Sequence, residues 1–428
     1  YKRQFIIVVL ASSVAEMNIC LSPMRNIISL KVIMCRTLDM VSLTNMNSLN
    51  IDMMKLKRYL ISTFCLCLFT ACDGDDNLLC YGTHTEIEGD VTTFGAIGDG
   101  KTDCSKAINS AIASLPSEGG VVVIPEGDFV LDAPIVINKH NVTIKGLNPG
   151  MRSNIDVNGI NDLLGPGGGS KLVARNAEAA IKVETDVKGL KIMNLMVSGG
   201  TEAKNIGIHF TGTSDNGILS NIIGINLHTG IKIEQAKNMQ IVNCWVCELP
   251  NSIELIGGEN MIIKNCQLGA QPTGITCKAQ GVNKLSFLNN QVYPDGRENL
   301  VLDDCNNSVI EGNNFKSYYN GILVLSGDNN RVNKNIFWLT GAVQNQMLDH
   351  GDDFGIINVK GNNNTFVSNS LSCEWAYADA VAVNATQGTG NVFKNCFIDN
   401  LESYRVFLVN AETEVSNCVS SDKVSIIE

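Results

Sequence analysis

The chain has 428 residues, 44% of them hydrophobic and 18% charged, which is ample apolar material for a large folded core. Its formal net charge of −11 disfavours nucleic acid and polyanionic sugars as partners and suits neutral glycans. The five histidines are scattered, with no His-x-x-x-His and no His-Glu pair, so no metal or other cofactor is expected.

In chain order, residues 1–52 mix Met, Ile, Asn and Ser without period or motif and read as an uninterpretable upstream extension. Residues 53–71 read as a signal peptide: Lys55, Lys57 and Arg58 form a basic start, and Tyr59–Ala71 an apolar run of suitable length. The run ends in FTAC, similar to the lipobox of bacterial lipoproteins. That resemblance implies a lipidated Cys72, a tether over 72–90 rich in Asp73, Asp75 and Asp76, and a lipoprotein at the outer membrane or surface of a Gram-negative bacterium. Contact with the membrane would then be through the lipid anchor alone.

From residue 91 the folded domain is expected to run to 428. Asp103 stands where it can cap a helix in which Ala107, Ile108, Ala111, Ile112 and Leu115 recur at helical spacing. GGVVVIPEGDFVL then reads as strand, Pro-Glu-Gly turn, strand. This stretch resembles the N-terminal cap of polysaccharide-acting β-helix proteins such as pectin lyases and polygalacturonases; its physical role is to hide the exposed end of a stacked core. Gly165–Lys171 is Gly-rich but lacks the spacing of a phosphate loop, and reads as a plain loop.

A repeat follows. Asn194, Asn221, Asn243, Asn265, Asn289, Asn313, Asn335, Asn369, Asn395 and Asn417 each close a short β-branched run, and most neighbours lie 22 to 26 residues apart. Units of that length cannot bury their own apolar face and must stack. With no helical period and with Gly, Asn and Pro between the runs, the fold class is all-β, a single-stranded right-handed parallel β-helix of the pectin-lyase-like kind with an N-terminal capping helix. The asparagines read as scaffold: Asn tolerates the left-handed conformation of a tight corner, and stacked amides can bond from winding to winding. Cys244, Cys266, Cys396 and Cys418 follow ladder asparagines and read as small stacked residues. The Cys244/Cys247 pair lacks a second pair or a nearby His and reads as structural.

Function must then lie on the outward columns of the strands. In NSIELIG, Ile253 and Leu255 face the core and Glu254 faces out; one winding earlier Lys232 is expected beside it, and one winding later Thr276. The corners LPNS, QPTG and YPDGRE, with Pro250, Pro272 and Pro294 spaced by 22, stack into a rim. That rim would offer Gln271, Thr273, Asp295, Arg297, Glu298, Tyr318 and Tyr319, the amides, guanidinium and aromatic rings that suit sugar hydroxyls and ring faces.

In these corners and in the GDDFG string, residues 238–372 resemble the inulin fructotransferases that form difructose dianhydride, glycoside hydrolase family 91. The resemblance implies a homotrimer and cleavage of a terminal difructose without water, through a Glu and an Asp eleven residues before it. The Glu falls on Glu254, but the Asp position holds Asn243. One of the two carboxyls that such chemistry needs is therefore absent, and Glu248 or Asp295 would have to substitute. On this reading Lys232, Gln271, Asp295, Arg297 and Tyr318 hold the sugar. Loss of activity, another fructan linkage, or dianhydride hydrolysis stay open as consequences of Asn243. Two rivals stand beside it: a non-catalytic glycan-binding β-helix, and a uronate polysaccharide hydrolase or lyase, suggested by the cap and by Asp303/Asp304 and Asp352/Asp353. The strings Asn-Thr-Asp, Gly-His-Gly and Arg-x-Lys of the polygalacturonases do not occur.

Overall fold

The computed structural model describes two units. In the first, Gln4–Ser12 and Glu16–Met24 pair antiparallel, with Val8 opposite Cys20. The second is described at residues 88–150, 169–200, 204–340, 353–373, 381–399, 406–419 and 424–427. The expected signal peptide, Cys72, most of the tether, Gly165 to Gly168 and Asp352 lie outside the described residues.

The second unit is a right-handed parallel β-helix. Each winding lays down three runs, seen clearly where Thr229–Glu234, Gln240–Val242 and the start of Trp245–Ile256 follow one another. Each run pairs in parallel with its counterpart one winding on: Ile231 with Ile253, Ile241 with Ile263, Trp245 with Gln267. We call these the first, second and third walls. Alternate side chains of each wall fill one continuous core, in which Phe287, Phe315 and Phe337 stack with centroids 5.9 and 5.1 Å apart.

The cap is as expected. Helix Ser105–Ser114 buries Ile108, Ala111 and Ile112 over the open end of the core. Asp103 sits one residue before the formal cap, and its carboxylate accepts the Ser105 backbone N–H at 3.0 Å and the Asp132 N–H at 3.1 Å. At the other end Lys139 Nζ donates to the carbonyls of Ala113 and Leu115 at 2.8 and 2.7 Å, meeting the negative end of the helix. Gly120–Ile124 and Gly127–Leu131 are the two strands around the Pro-Glu-Gly turn.

The asparagine ladder corrects the sequence reading in one respect: it is two neighbouring columns. Asn194, Asn221, Asn243, Asn265, Asn289, Asn395 and Asn417 have φ between 52° and 57° and turn the chain from second to third wall. Asn313, Asn335 and Asn369 stand one position later, behind Gly312, Lys334 and Ser368, which take over the positive φ. There, with Asn290, they are buried; the Oδ1 of Asn313, Asn335 and Asn369 each receives both the backbone N–H and the side-chain amide of the Asn one winding earlier, and that of Asn290 the backbone N–H of Cys266. A second buried stack, Asn330 to Asn364 to Asn391, repeats the device between first and second walls.

The cysteines continue these columns. Cys244 and Cys266 are buried in the core directly below Asn290, and Cys396 and Cys418 above Asn369. Cys247, three residues along a strand from Cys244, points the other way, into a separate cluster with Met196, Ile223, Ile225 and Trp245. The two thiols therefore cannot meet on one ion.

Candidate functional site

Glu254 lies where the alternation puts it, half-buried on the outer side of the first wall between buried Ile253 and Leu255. Its partner one winding earlier is Lys232, with Nζ 3.7 Å from Glu254 Oε2. The partner one winding later is Lys278, not Thr276. Thr276 is fully buried, because the corner that follows Leu268 folds over it and the Ala270 N–H donates to its hydroxyl at 3.2 Å. The corner's extra residues shift the register by two, which spacing counted from the glycine could not show.

The outward column thus reads Lys182, His209, Lys232, Glu254, Lys278. Sequence reasoning missed His209 and Glu234 altogether. Glu234 Oε1 lies 3.1 Å from His209 Nε2 and 3.3 Å from Lys232 Nζ. The hydrogen bond from His209, opposed by partial burial and reinforced by Lys232, holds its carboxyl below the ordinary glutamate range. The signal available in the sequence was the alternation itself: HF in GIHF and KIE in GIKIE sit at matching places one winding apart.

The stacked corners exist as well. Asn251 N donates to His228 O, Arg297 N to Gly274 O and Tyr318 N to Pro294 O, tying successive corners together. Gly274 is required there, since a Cβ would overlap the Pro250 carbonyl oxygen. The corners bring Gln271 and Asp295 together, with Glu248, around a recess of about 300 Å³ floored by Ile225 and Cys247. Gln271 Nε2 donates to the Glu248 carbonyl at 3.2 Å, and Glu248 itself adopts φ 64°, an uncommon conformation for its residue type. Asp295 keeps contact with solvent, and partial burial in the recess raises its carboxyl above the ordinary aspartate range.

Other rim residues depart from expectation. Arg297 Nε is 3.4 Å from Glu298 Oε1, and Glu298 and Tyr319 are buried, so neither offers itself to a ligand; Tyr318 is half-buried. Arg297 and Glu254 do not line the recess. Asn243 does not line it either. It lines a different recess, of about 320 Å³, with Asn221, Asn265, Trp245 and Gln267 at the junction of second and third walls. That junction lies across the core from the first wall, so Asn243 and Glu254 of one chain do not form a pair.

Among known proteins, the family model described as rhamnogalacturonase A/epimerase, pectate lyase-like, matches residues 90–296, and that of the right handed beta helix region matches 248–371. A DFA-I-forming inulin fructotransferase from Arthrobacter globiformis is 25% identical over 321 residues, 66% of this chain and 80% of that protein. In structure, a DFA-IIIase from Arthrobacter chlorophenolicus A6 solved in complex with GF2 superposes with a TM-score of 0.69 at 21% identity, over 80% of this chain and 96% of that one. The A-module of a mannuronan C-5 epimerase from Azotobacter vinelandii gives 0.55 at 11% identity, over 77% and 100%. The chain is a right-handed parallel β-helix protein with the pectin-lyase-like fold, similar to the inulin fructotransferases.

Proposed function

We propose that this protein is a fructan-processing enzyme that cleaves inulin-type chains by intramolecular fructosyl transfer, releasing a cyclic difructose dianhydride. The observation that carries the reading is the sequence similarity to an inulin fructotransferase along four-fifths of that enzyme's length. It is supported by the placement of Glu254, a half-buried carboxyl on the outer side of the first wall.

In the reaction, a fructosyl hydroxyl attacks the anomeric carbon of the neighbouring residue. The bond from that carbon to the glycosidic oxygen breaks, the leaving oxygen takes a proton from Glu254, and the attacking hydroxyl gives its proton to a base. Charge at the carbon in flight is oxocarbenium-like, which neighbouring carboxylates stabilise. Lys232, beside Glu254, is assigned to sugar hydroxyls at this centre; Gln271 and Asp295, which share the corner recess, and Arg297 and Tyr318 on the stacked corners are assigned to the hydroxyls and ring faces of sugar units farther along the chain.

Two further features belong to the reading. Assembly as a homotrimer is what the resemblance to the fructotransferases implies, and exposed Ile336 and Phe397, at 48% and 49%, on the third wall offer apolar surface for self-association. Export as a lipoprotein anchored through Cys72, at the outer membrane or cell surface of a Gram-negative bacterium, is supported by the basic start and apolar run that precede FTAC.

The test is a substrate panel of inulin, levan, pre-formed difructose dianhydrides and polygalacturonate, with products resolved by chromatography. Cyclic difructose from inulin is expected, and Glu254→Gln should abolish it. Turnover of polygalacturonate alone would overturn the reading.

A further inference from the structure

The proposed reaction needs a base as well as an acid, and Asn243 supplies neither the carboxyl nor the position. The carboxyls Glu248 and Asp295 share the corner recess over Ile225 and Cys247, and Glu254 is not among its lining residues. One winding from Glu254, however, stands another carboxylate on the same wall. Glu234 and Glu254 are bridged by one ammonium: Lys232 Nζ is 3.3 Å from an oxygen of the first and 3.7 Å from an oxygen of the second. The two carboxylates are therefore within roughly 7 Å of each other, the separation at which a pair of carboxyls can act on one glycosidic linkage.

We propose that Glu234 is the second carboxyl of the fructosyl transfer, the base that accepts the proton of the attacking hydroxyl, and that His209 is its positioning residue. The inference rests on the fructan reading above. All four side chains, His209, Lys232, Glu234 and Glu254, come from three successive first-wall strands and are between 18% and 30% exposed, reachable by a ligand yet fixed in place. Proton bookkeeping closes: the hydroxyl proton goes to Glu234, the Glu254 proton goes to the leaving oxygen, and exchange with solvent resets both. A base must be ionised before the substrate arrives, and the hydrogen bond from His209 serves that need.

The charged groups facing Glu234 are few. His209 approaches from the preceding strand, Lys232 from its own and Glu254 from the following one. Lys182, behind His209 in the column, is engaged by Glu178 at 2.8 Å. Activity should accordingly persist on acidification until Glu234 protonates, below the ordinary glutamate range. Removing His209 removes the largest cause of that depression, so the acidic limb should move to higher pH.

The experiment compares wild type, Glu234→Gln, Glu234→Asp and His209→Ala on inulin, with melting temperatures recorded for each. Glu234→Gln is expected to lower kcat about 100-fold or more while KM changes little, the usual loss for a positioned acid or base. Glu234→Asp, which keeps the charge and the fold, should fall between. His209→Ala should move the acidic limb of kcat/KM upward. A natively folded Glu234→Gln with more than about a third of wild-type kcat, set against that loss, overturns the assignment, as does an unmoved limb in His209→Ala. Wild-type protein inert on every fructan overturns the fructan reading itself, a result separable from loss in the variants alone.

Discussion

Asn243 and Glu254 belong to one winding yet stand on opposite sides of its core, Asn243 at the corner between second and third walls and Glu254 midway along the first. Eleven residues of sequence separation carry the chain around the third wall, not along one face. Restoring an acid at the corner should therefore do little: Asn243→Asp is expected to leave kcat on inulin within about twofold of wild type, since distant sites act independently. A rise of tenfold or more would show that the corner takes part in the chemistry.

The buried amide stack makes a stability prediction. Asn313 Oδ1 accepts from the Asn290 backbone N–H at 2.8 Å and its amide at 3.1 Å, while Asn313 Nδ2 donates to Phe287 O at 2.8 Å. Asn313→Ala strands these groups without water, at a cost of about 1–3 kcal/mol for each one left unpaired. Urea unfolding should register the loss; an unchanged midpoint would mean the stack contributes nothing net.

Phe315 lies between Phe287 and Phe337 in the core, fully buried. Phe315→Ala removes the middle ring of the stack and leaves a cavity, for which about 3–5 kcal/mol is expected. Phe315→Leu should recover most of it. Equal losses in the two variants would argue against packing as the cause.

The cap responds to acid. Partial burial opposes ionisation of Asp103, but hydrogen bonds from the Ser105 hydroxyl and N–H and from Asp132 N–H outweigh it and hold the carboxyl below the ordinary aspartate value. A carboxyl depressed on folding adds stability that is present above its unfolded pKa, about 3.9, and is lost as pH falls through the folded value. Asp103→Asn should thus lower the melting temperature at neutral pH and bring it close to wild type in strong acid. A constant gap at all pH values would contradict this.

Much of the architecture was legible because a solenoid repeats its signals: the β-branched runs and the corner asparagines recur at a fixed offset from a buried neighbour, and the single cap helix carries its own period before GGVVV. The two-column ladder was hidden because Gly312, Lys334 and Ser368 can adopt the same positive φ as Asn, so the shift by one residue leaves no gap in the count. The site was harder to read. Thr276 was misplaced because the corner QPTG inserts residues that change which side chain faces out, and Glu298 and Tyr319 look like surface residues by type yet are covered. His209 and Glu234 escaped notice because neither forms a local motif; only register across windings makes them neighbours.

Internal transfer keeps water out of the product and hydrolysis puts it in, a difference that oxygen-18 water reads out. Inulin is incubated with the protein in labelled water, and the released sugar is weighed by mass spectrometry. A non-reducing cyclic difructose that carries no label is expected. Labelled, reducing fructose or oligofructose as the product would contradict it.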